Sequence, residues 1–125
     1  MKRSAVILLL AALLCGCTKQ ETPLGPLNRL VTQIRVAATV DGQTYERNHT
    51  APDEMRSVLT YLRLLQKGKR VDIDPDSFRS DSYEITVHYS DGQHTTYHQL
   101  HSDYMKIDDG HWMKITGAKM ELLFP

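Results

Sequence analysis

The chain has 125 residues, and its 15 lysines and arginines balance its 15 aspartates and glutamates, so the formal net charge is zero. This length suits a single small domain. Without an excess of positive charge there is no electrostatic case for binding nucleic acid or for a polybasic contact with anionic lipid.

The first seventeen residues have the layout of an export signal. Lys2 and Arg3 precede an uncharged apolar run, residues 5–14, which is too short to span a bilayer as a stable anchor. The run ends in a stretch that resembles the lipobox of bacterial lipoproteins, Leu14-Cys15-Gly16-Cys17. This resemblance implies cleavage directly before Cys17, attachment of a diacylglycerol to its thiol, and often acylation of the new N-terminus.

The resemblance also implies a location. Two or three acyl chains, at about 0.8 kcal/mol for each buried CH₂, would hold the mature protein firmly on a membrane outside the cytoplasm. In a single-membrane bacterium this is the outer leaflet of the plasma membrane. In a two-membrane bacterium it is the outer membrane, because Thr18 is not the aspartate associated with inner-membrane retention.

Processing would divide the chain into three parts. Residues 1–16 are the predicted signal peptide, residues 17–27 the lipidated cysteine with a flexible tether rich in proline and glycine, and residues 28–125 a single domain. With Cys15 removed and Cys17 acylated, no thiol is left for a disulfide or a nucleophile. The domain must therefore be stabilised by its core alone.

Three Asp-Gly pairs, at residues 41–42, 91–92 and 109–110, divide the domain into hairpins, because this dipeptide readily adopts the positive φ of a tight turn. The joined strands are expected at residues 34–40 and 43–50, 83–89 and 93–101, and 104–108 and 111–115. A last apolar stretch, AKMELLF at residues 118–124, is expected to add another strand.

One helix is predicted between the first two hairpins. Thr50 is placed as its N-cap, Asp53 at the reach-back position, and Gly68 between two lysines as its stop signal. Apolar side chains recur at helical spacing, and the stripe they form is expected to pack on the sheet. These residues are Met55, Val58, Leu59, Leu62 and Leu65. Leu64 is left on the opposite side.

The order of elements, two strands, a helix and then four or five strands, predicts an α+β domain. Its small antiparallel sheet is built from β-hairpins, with one amphipathic helix on one face. This shape is similar to that of small envelope modules such as PepSY domains and β-lactamase-inhibitor-like repeats. No motif assigns the chain to either.

The second hairpin is rich in histidine. In HTTYHQLH, residues 94–101, three histidines have helical spacing, but the threonines and the preceding turn favour a strand, in which His101 faces away from His94 and His98. Two registers of the hairpin are compatible with the sequence. A two-residue loop places His88 opposite Thr95, whereas a three-residue loop places it opposite His94.

We prefer the three-residue loop, since it places Tyr97 on the apolar face with Ile85 and Val87. The polar face then carries a group of possible metal ligands, His88, His94, His98 and Glu84. Imidazole and carboxylate suit zinc or copper. Exposed histidines are also ordinary on the outer face of a sheet, and we favour that interpretation.

Other site patterns are less complete. Asp72, Asp74 and Asp76 alternate like the opening of an EF-hand loop, but Ser77 and Tyr83 occupy the positions of its glycine and bidentate glutamate, so an acidic solvated loop fits better. No catalytic motif is recognisable. Four tyrosines and Trp112 either complete the core, as we expect, or form a recognition surface.

The sequence therefore predicts a lipid-anchored lipoprotein whose domain binds another envelope protein or a cell-wall component without catalysis. The alternative is a metal-binding envelope lipoprotein that uses the histidines of the second hairpin for zinc or copper. A hydrolase assembled from residues distant in sequence is a third and weaker hypothesis. The binding hypothesis predicts an exposed apolar or aromatic patch, and the hydrolase hypothesis a deep polar pocket.

Overall fold

The computed structural model describes residues 29–77 and 81–125, which form an α+β domain with a seven-stranded antiparallel sheet and one helix. The predicted signal peptide, Cys17 and tether lie outside these residues. The elements in chain order are β1 (Val31–Val40), β2 (Gln43–His49), α1 (Pro52–Leu64), β3 (Gln66–Arg70), β4 (Ser82–Tyr89), β5 (His94–Leu100), β6 (Tyr104–Ile107) and β7 (Met113–Thr116). Short 3₁₀ helices lie at Pro75–Ser77 and Met120–Leu123.

The strands lie in the order β2-β1-β4-β5-β6-β7-β3, so β2 and β3 form the edges of the sheet. Residues on successive positions of a strand point to opposite faces. On β1, Ile34 and Val36 face the helix and are fully buried, whereas the intervening Arg35 lies on the opposite, open face. The sheet therefore has one covered and one partly open face, as expected for an antiparallel sheet with a helix on one side.

Two of the three predicted Asp-Gly turns have the expected positive φ. Asp41 and Gly42 both have positive φ, 52° and 77°, and the pairing of Val40 with Gln43 makes this a two-residue loop. Gly92 has a φ of 85°. The third turn uses a different residue, since it is Asp108, with a φ of 50°, that adopts the left-handed conformation there.

Helix α1 packs its predicted apolar stripe against the sheet. Val58 and Leu62 are completely buried, and Leu64 is 44% exposed on the far side, as predicted. The predicted cap is wrong. Ala51, with extended backbone and no side-chain hydrogen bond, precedes the helix, and Pro52 occupies its first turn, where a missing N–H costs nothing. Asp53 pairs with Arg56 instead of reaching back.

Two corrections concern the strands after the helix. The stretch Gln66–Arg70, predicted only as the end of the helix, is strand β3 paired with β7. Its side chains are all exposed, so it shows no apolar alternation for a pattern to detect. Conversely, AKMELLF is not a strand but contains the 3₁₀ helix Met120–Leu123, which packs on α1.

The core lies between α1, the C-terminal 3₁₀ helix and the covered face of the sheet. Its largest buried side chains are Ile34, Tyr61, Leu62, Ile85, Met105, Ile115 and Leu123. Tyr97 is 2% exposed and packs in this core, as the preferred register predicts. Within residues 29–77 and 81–125, no helix has the length and apolar character needed to cross a membrane.

Candidate functional site

The register of the second hairpin is the preferred one. His88 pairs with His94, and Glu84 pairs with His98. Hydrogen bonds from Tyr89 N to Gln93 O (2.9 Å) and from Gly92 N to Tyr89 O (3.1 Å) close the three-residue loop, in which Gly92 takes the left-handed position. The predicted metal ligands therefore share the open face of the sheet.

These four residues form two separate pairs on that face. The rings of His88 and His94 lie 5.8 Å apart, and Nδ1 of His98 lies 3.8 Å from Oε2 of Glu84. Thr86 opposes Thr96 between them, so the two pairs are about 13 Å apart along the strands. Among the described residues no group of three or more His, Cys, Asp or Glu side chains could hold a metal ion. Metal binding here stays a prediction.

The open face carries a polar cleft at one end. The strand registers align Ala37, Glu84, His98 and Lys106 in one row across β1, β4, β5 and β6. These four side chains line a cavity of about 420 Å³ together with Leu100, which belongs to the next row of paired residues. Neither the row nor the cavity follows from one segment of sequence, since four strands contribute to it.

The wall of this cleft comes from the segment after β3. A hydrogen bond from Val71 N to Trp112 O (2.9 Å) fixes that segment beside the loop before β7. Pro75 and Trp112 line the cavity of the open face, and Trp112 and Lys106 also line a second cavity of about 400 Å³. Nζ of Lys106 lies 5.5 Å from the centre of the Trp112 ring. The two cavities therefore adjoin at this cation–π pair.

The acidic segment that resembles an EF-hand opening forms part of the second cavity. Asp72 and Asp74 line it, and Asp74 accepts a 3.1 Å hydrogen bond from the backbone N–H of Asp76. Such a contact stabilises a local turn. Pro75 starts the short 3₁₀ helix Pro75–Ser77. Asp72, Asp74 and Asp76 are all exposed, as expected of an acidic solvated loop.

A different surface lies at the β2 edge. Every residue of β2 except His49 is exposed, and among the described strands β2 is paired only with β1. Because Val40 and Gln43 flank a two-residue loop, Gln43 and alternate residues after it bond to β1, and the backbone N–H groups of Thr44, Glu46 and Asn48 point outwards. An extended chain could pair with these groups.

An apolar pocket of about 700 Å³ lies beside this edge on the covered face. Ala38 and Val40 form its floor, and the side chains of Tyr83, Met120 and Phe124 contribute apolar walls. Tyr45, also part of the lining, is 52% exposed. The sequence did not predict this pocket, because the C-terminal 3₁₀ helix that closes one side was interpreted as a strand.

One ion pair fixes the open face next to β2. Nη2 of Arg35 donates a 2.8 Å hydrogen bond to Oε2 of Glu46. This hydrogen bond lowers the pKa of the Glu46 carboxyl below its ordinary value, and the same pair raises the pKa of Arg35. Both side chains are solvated, so the pair orients them more than it stabilises the fold.

The aromatic residues divide between the core and these surfaces. Tyr89 and Tyr97 are buried, as expected for a small sheet, and burial raises the pKa of Tyr97. Tyr83 and Trp112 are half-buried; Tyr83 lines both the apolar pocket and the polar cleft, and Trp112 lines the cleft. Only part of the aromatic set therefore lines the pocket and the cleft.

Comparison of the chain with protein-family models, with curated proteins and with solved structures gives no match.

Proposed function

We propose that the protein is a lipid-anchored binding module outside the cytoplasm, and that it binds an extended segment of another envelope protein along β2 without catalysis. The observation that supports this proposal most directly is the exposed edge strand β2 with an apolar pocket beside it. In strand addition, main-chain hydrogen bonds supply affinity, and pockets for alternate side chains supply specificity. Both parts are present at this edge.

The other edge of the sheet supports the choice of β2. Strand β3 has three cationic residues among five, Lys67, Lys69 and Arg70. Lysines on an edge strand oppose pairing with a further strand. Strand β2 carries one carboxylate, Glu46, and one arginine, Arg47, and Glu46 is also paired with Arg35 on the adjacent strand, so the edge has no comparable excess of one sign. A partner strand therefore meets less electrostatic opposition at β2.

The anchor is supported by the lipobox-like stretch that ends at Cys17. Eleven residues, 18–28, separate this cysteine from Arg29, and fully extended they would span at most about 40 Å. The partner is thus expected at the same membrane. Cys17→Ser should abolish incorporation of radiolabelled palmitate, and retained labelling would contradict the anchor.

The strand-addition mode can be tested by photo-crosslinking in cells. With benzoylphenylalanine at position 45 we expect a discrete adduct, and with the same residue at position 64, on the far side of α1, we expect none. Thr44→Pro removes an outward N–H and should abolish the adduct, whereas Thr44→Ala loses the same contact with Thr39 and should keep it. An adduct that survives Thr44→Pro would overturn strand addition.

The metal-binding alternative receives less support. The predicted ligands lie in two pairs, and a stable zinc site in proteins uses three or four ligands. We therefore keep binding along β2 as the proposed function.

A further inference from the structure

The polar cleft on the open face, taken together with the second cavity that adjoins it, has the dimensions of a small-molecule site. Its two adjoining cavities, about 420 and 400 Å³, each fall in the range typical of ligand pockets, roughly 300 to 1,000 Å³. The cleft lies on the face opposite the apolar pocket, which is on the covered side of the sheet. The linings of the cleft and of the apolar pocket share one residue, Tyr83, and are otherwise separate.

The charges that line the cleft argue against a strongly charged ligand. Glu84, Asp72 and Asp74 supply carboxylates, and Arg70 and Lys106 supply cations. Since the two signs are interspersed and nearly balanced, the cleft has no field of one sign to concentrate a polyanion or a polycation. The lining instead offers hydrogen-bond acceptors and donors side by side.

The aromatic ring adds a second requirement. Trp112 is half-buried and lines both cavities, with Nζ of Lys106 5.5 Å from the centre of its ring. An amphipathic ring of this kind packs against apolar ligand surface while its surroundings stay wet. Leu100, Pro75 and Ala37 extend the apolar floor of the first cavity. The cleft thus fits a ligand with an apolar face and a polar rim.

A pyranose ring has this combination, because its C–H groups form an apolar face and its hydroxyls both donate and accept hydrogen bonds. We propose that the cleft is a saccharide-binding site for a neutral oligosaccharide, with sugar units on either side of Trp112. The carboxylate of Glu84 accepts a hydrogen bond from a hydroxyl of one unit, and a ring N–H of His98, 3.8 Å away, donates to a second hydroxyl of that unit. In the second cavity, Asp72 accepts a hydrogen bond from the other sugar unit and Arg70 donates one to it.

The chain offers a direct readout, since Trp112 is its only tryptophan. Purified protein would be titrated with tetra-N-acetylchitotetraose and with cellotetraose while tryptophan fluorescence is recorded. We expect a saturable change for at least one of them. No change up to about 10 mM, a concentration at which even millimolar affinity would saturate, would overturn the proposal.

Matched variants locate the binding. Glu84→Gln keeps the size of an exposed side chain and should weaken affinity about tenfold through the loss of a charge-assisted hydrogen bond. Trp112→Phe should weaken it as well, with calorimetry as the readout. Tyr45→Ala, at the other pocket, should leave affinity unchanged. Binding that is insensitive to Glu84 and Trp112, or that falls with Tyr45, would place the sugar elsewhere and refute this site.

Discussion

The hydroxyl of Tyr61 donates a 2.6 Å hydrogen bond to Oε1 of Gln99, and this bond joins α1 to β5 inside the core. Gln99 is 1% exposed, and its amide nitrogen donates to the backbone carbonyl of His101 at 2.7 Å. Both polar groups of a buried glutamine are thereby satisfied. Burial raises the pKa of Tyr61, which keeps the hydroxyl protonated and able to donate at neutral pH.

Removal of this hydroxyl should destabilise the domain. Tyr61→Phe leaves Oε1 of Gln99 without its hydroxyl donor in a buried position, which typically costs about 1–3 kcal/mol. The matched control is Tyr45→Phe, because Tyr45 also donates to a glutamine, Gln43, but at an exposed site. There the change should stay within about 0.5 kcal/mol. Urea denaturation measures both, and equal effects would contradict the argument.

The C-terminal 3₁₀ helix is held by side chains of other elements. Oγ of Ser57 donates to Leu122 O at 2.8 Å, and Nε2 of the buried His49 lies 3.2 Å from Leu123 O, where it must be the donor. The carbonyls of Leu122 and Leu123 are thus bonded to side chains and not to the backbone of a neighbouring strand. This is a physical reason why an apolar stretch that resembles a strand forms a 3₁₀ helix.

Ser57→Ala should loosen this helix. We expect a loss of about 0.5–1.5 kcal/mol and faster amide hydrogen exchange in residues 120–123. Thr60→Ala is the control, since Thr60 donates to Arg56 O within the exposed part of the same helix. Its removal should have little effect on stability and none on C-terminal exchange. Unchanged exchange in Ser57→Ala would show that packing alone holds the segment.

Two glycines with the same backbone conformation separate strain from crowding. Gly92 and Gly117 both have a φ of 85°, but a Cβ at Gly117 would lie 2.8 Å from Leu64 O, whereas one at Gly92 would meet nothing within 4 Å. Gly92→Ala should therefore cost only about 1 kcal/mol of left-handed strain. Gly117→Ala should cost roughly 1–3 kcal/mol more through overpacking. Similar denaturation midpoints for the two variants would disprove this.

The sequence could predict what depends on local pattern. Alternation and turn chemistry identified β1, β2 and the β4–β5 hairpin, and the burial of Tyr97 fixed the correct register, which placed His88 opposite His94. Strand β3 was missed because its five side chains are all exposed and show no apolar alternation, so only its backbone pairing identifies it as a strand. The cleft was missed because Trp112 and Lys106 meet the segment after β3 only through tertiary contacts.

The ion pair of Arg35 and Glu46 gives a pH dependence of known sign. Because the hydrogen bond from Arg35 lowers the folded-state pKa of Glu46, the charged carboxylate stabilises the fold above its ordinary pKa, and this contribution is lost as the pH falls through the lowered value. Arg35→Gln should return the pKa of Glu46 towards its ordinary value in a carboxyl NMR titration. Arg47→Gln, which removes the adjacent arginine of β2, should leave it unchanged.

The lysines of β3 should keep that edge unpaired. Replacing Lys67 and Lys69 with valine removes the charges that oppose strand addition and supplies residues that favour β structure. We expect the double variant to associate with increasing concentration in sedimentation experiments, relative to the unmodified protein. Lys114→Val is the control, because Lys114 is equally exposed but lies on β7, which is paired on both sides. If the double variant sediments like this control, some feature other than charge protects β3, and the contrast between the two edges no longer supports binding at β2.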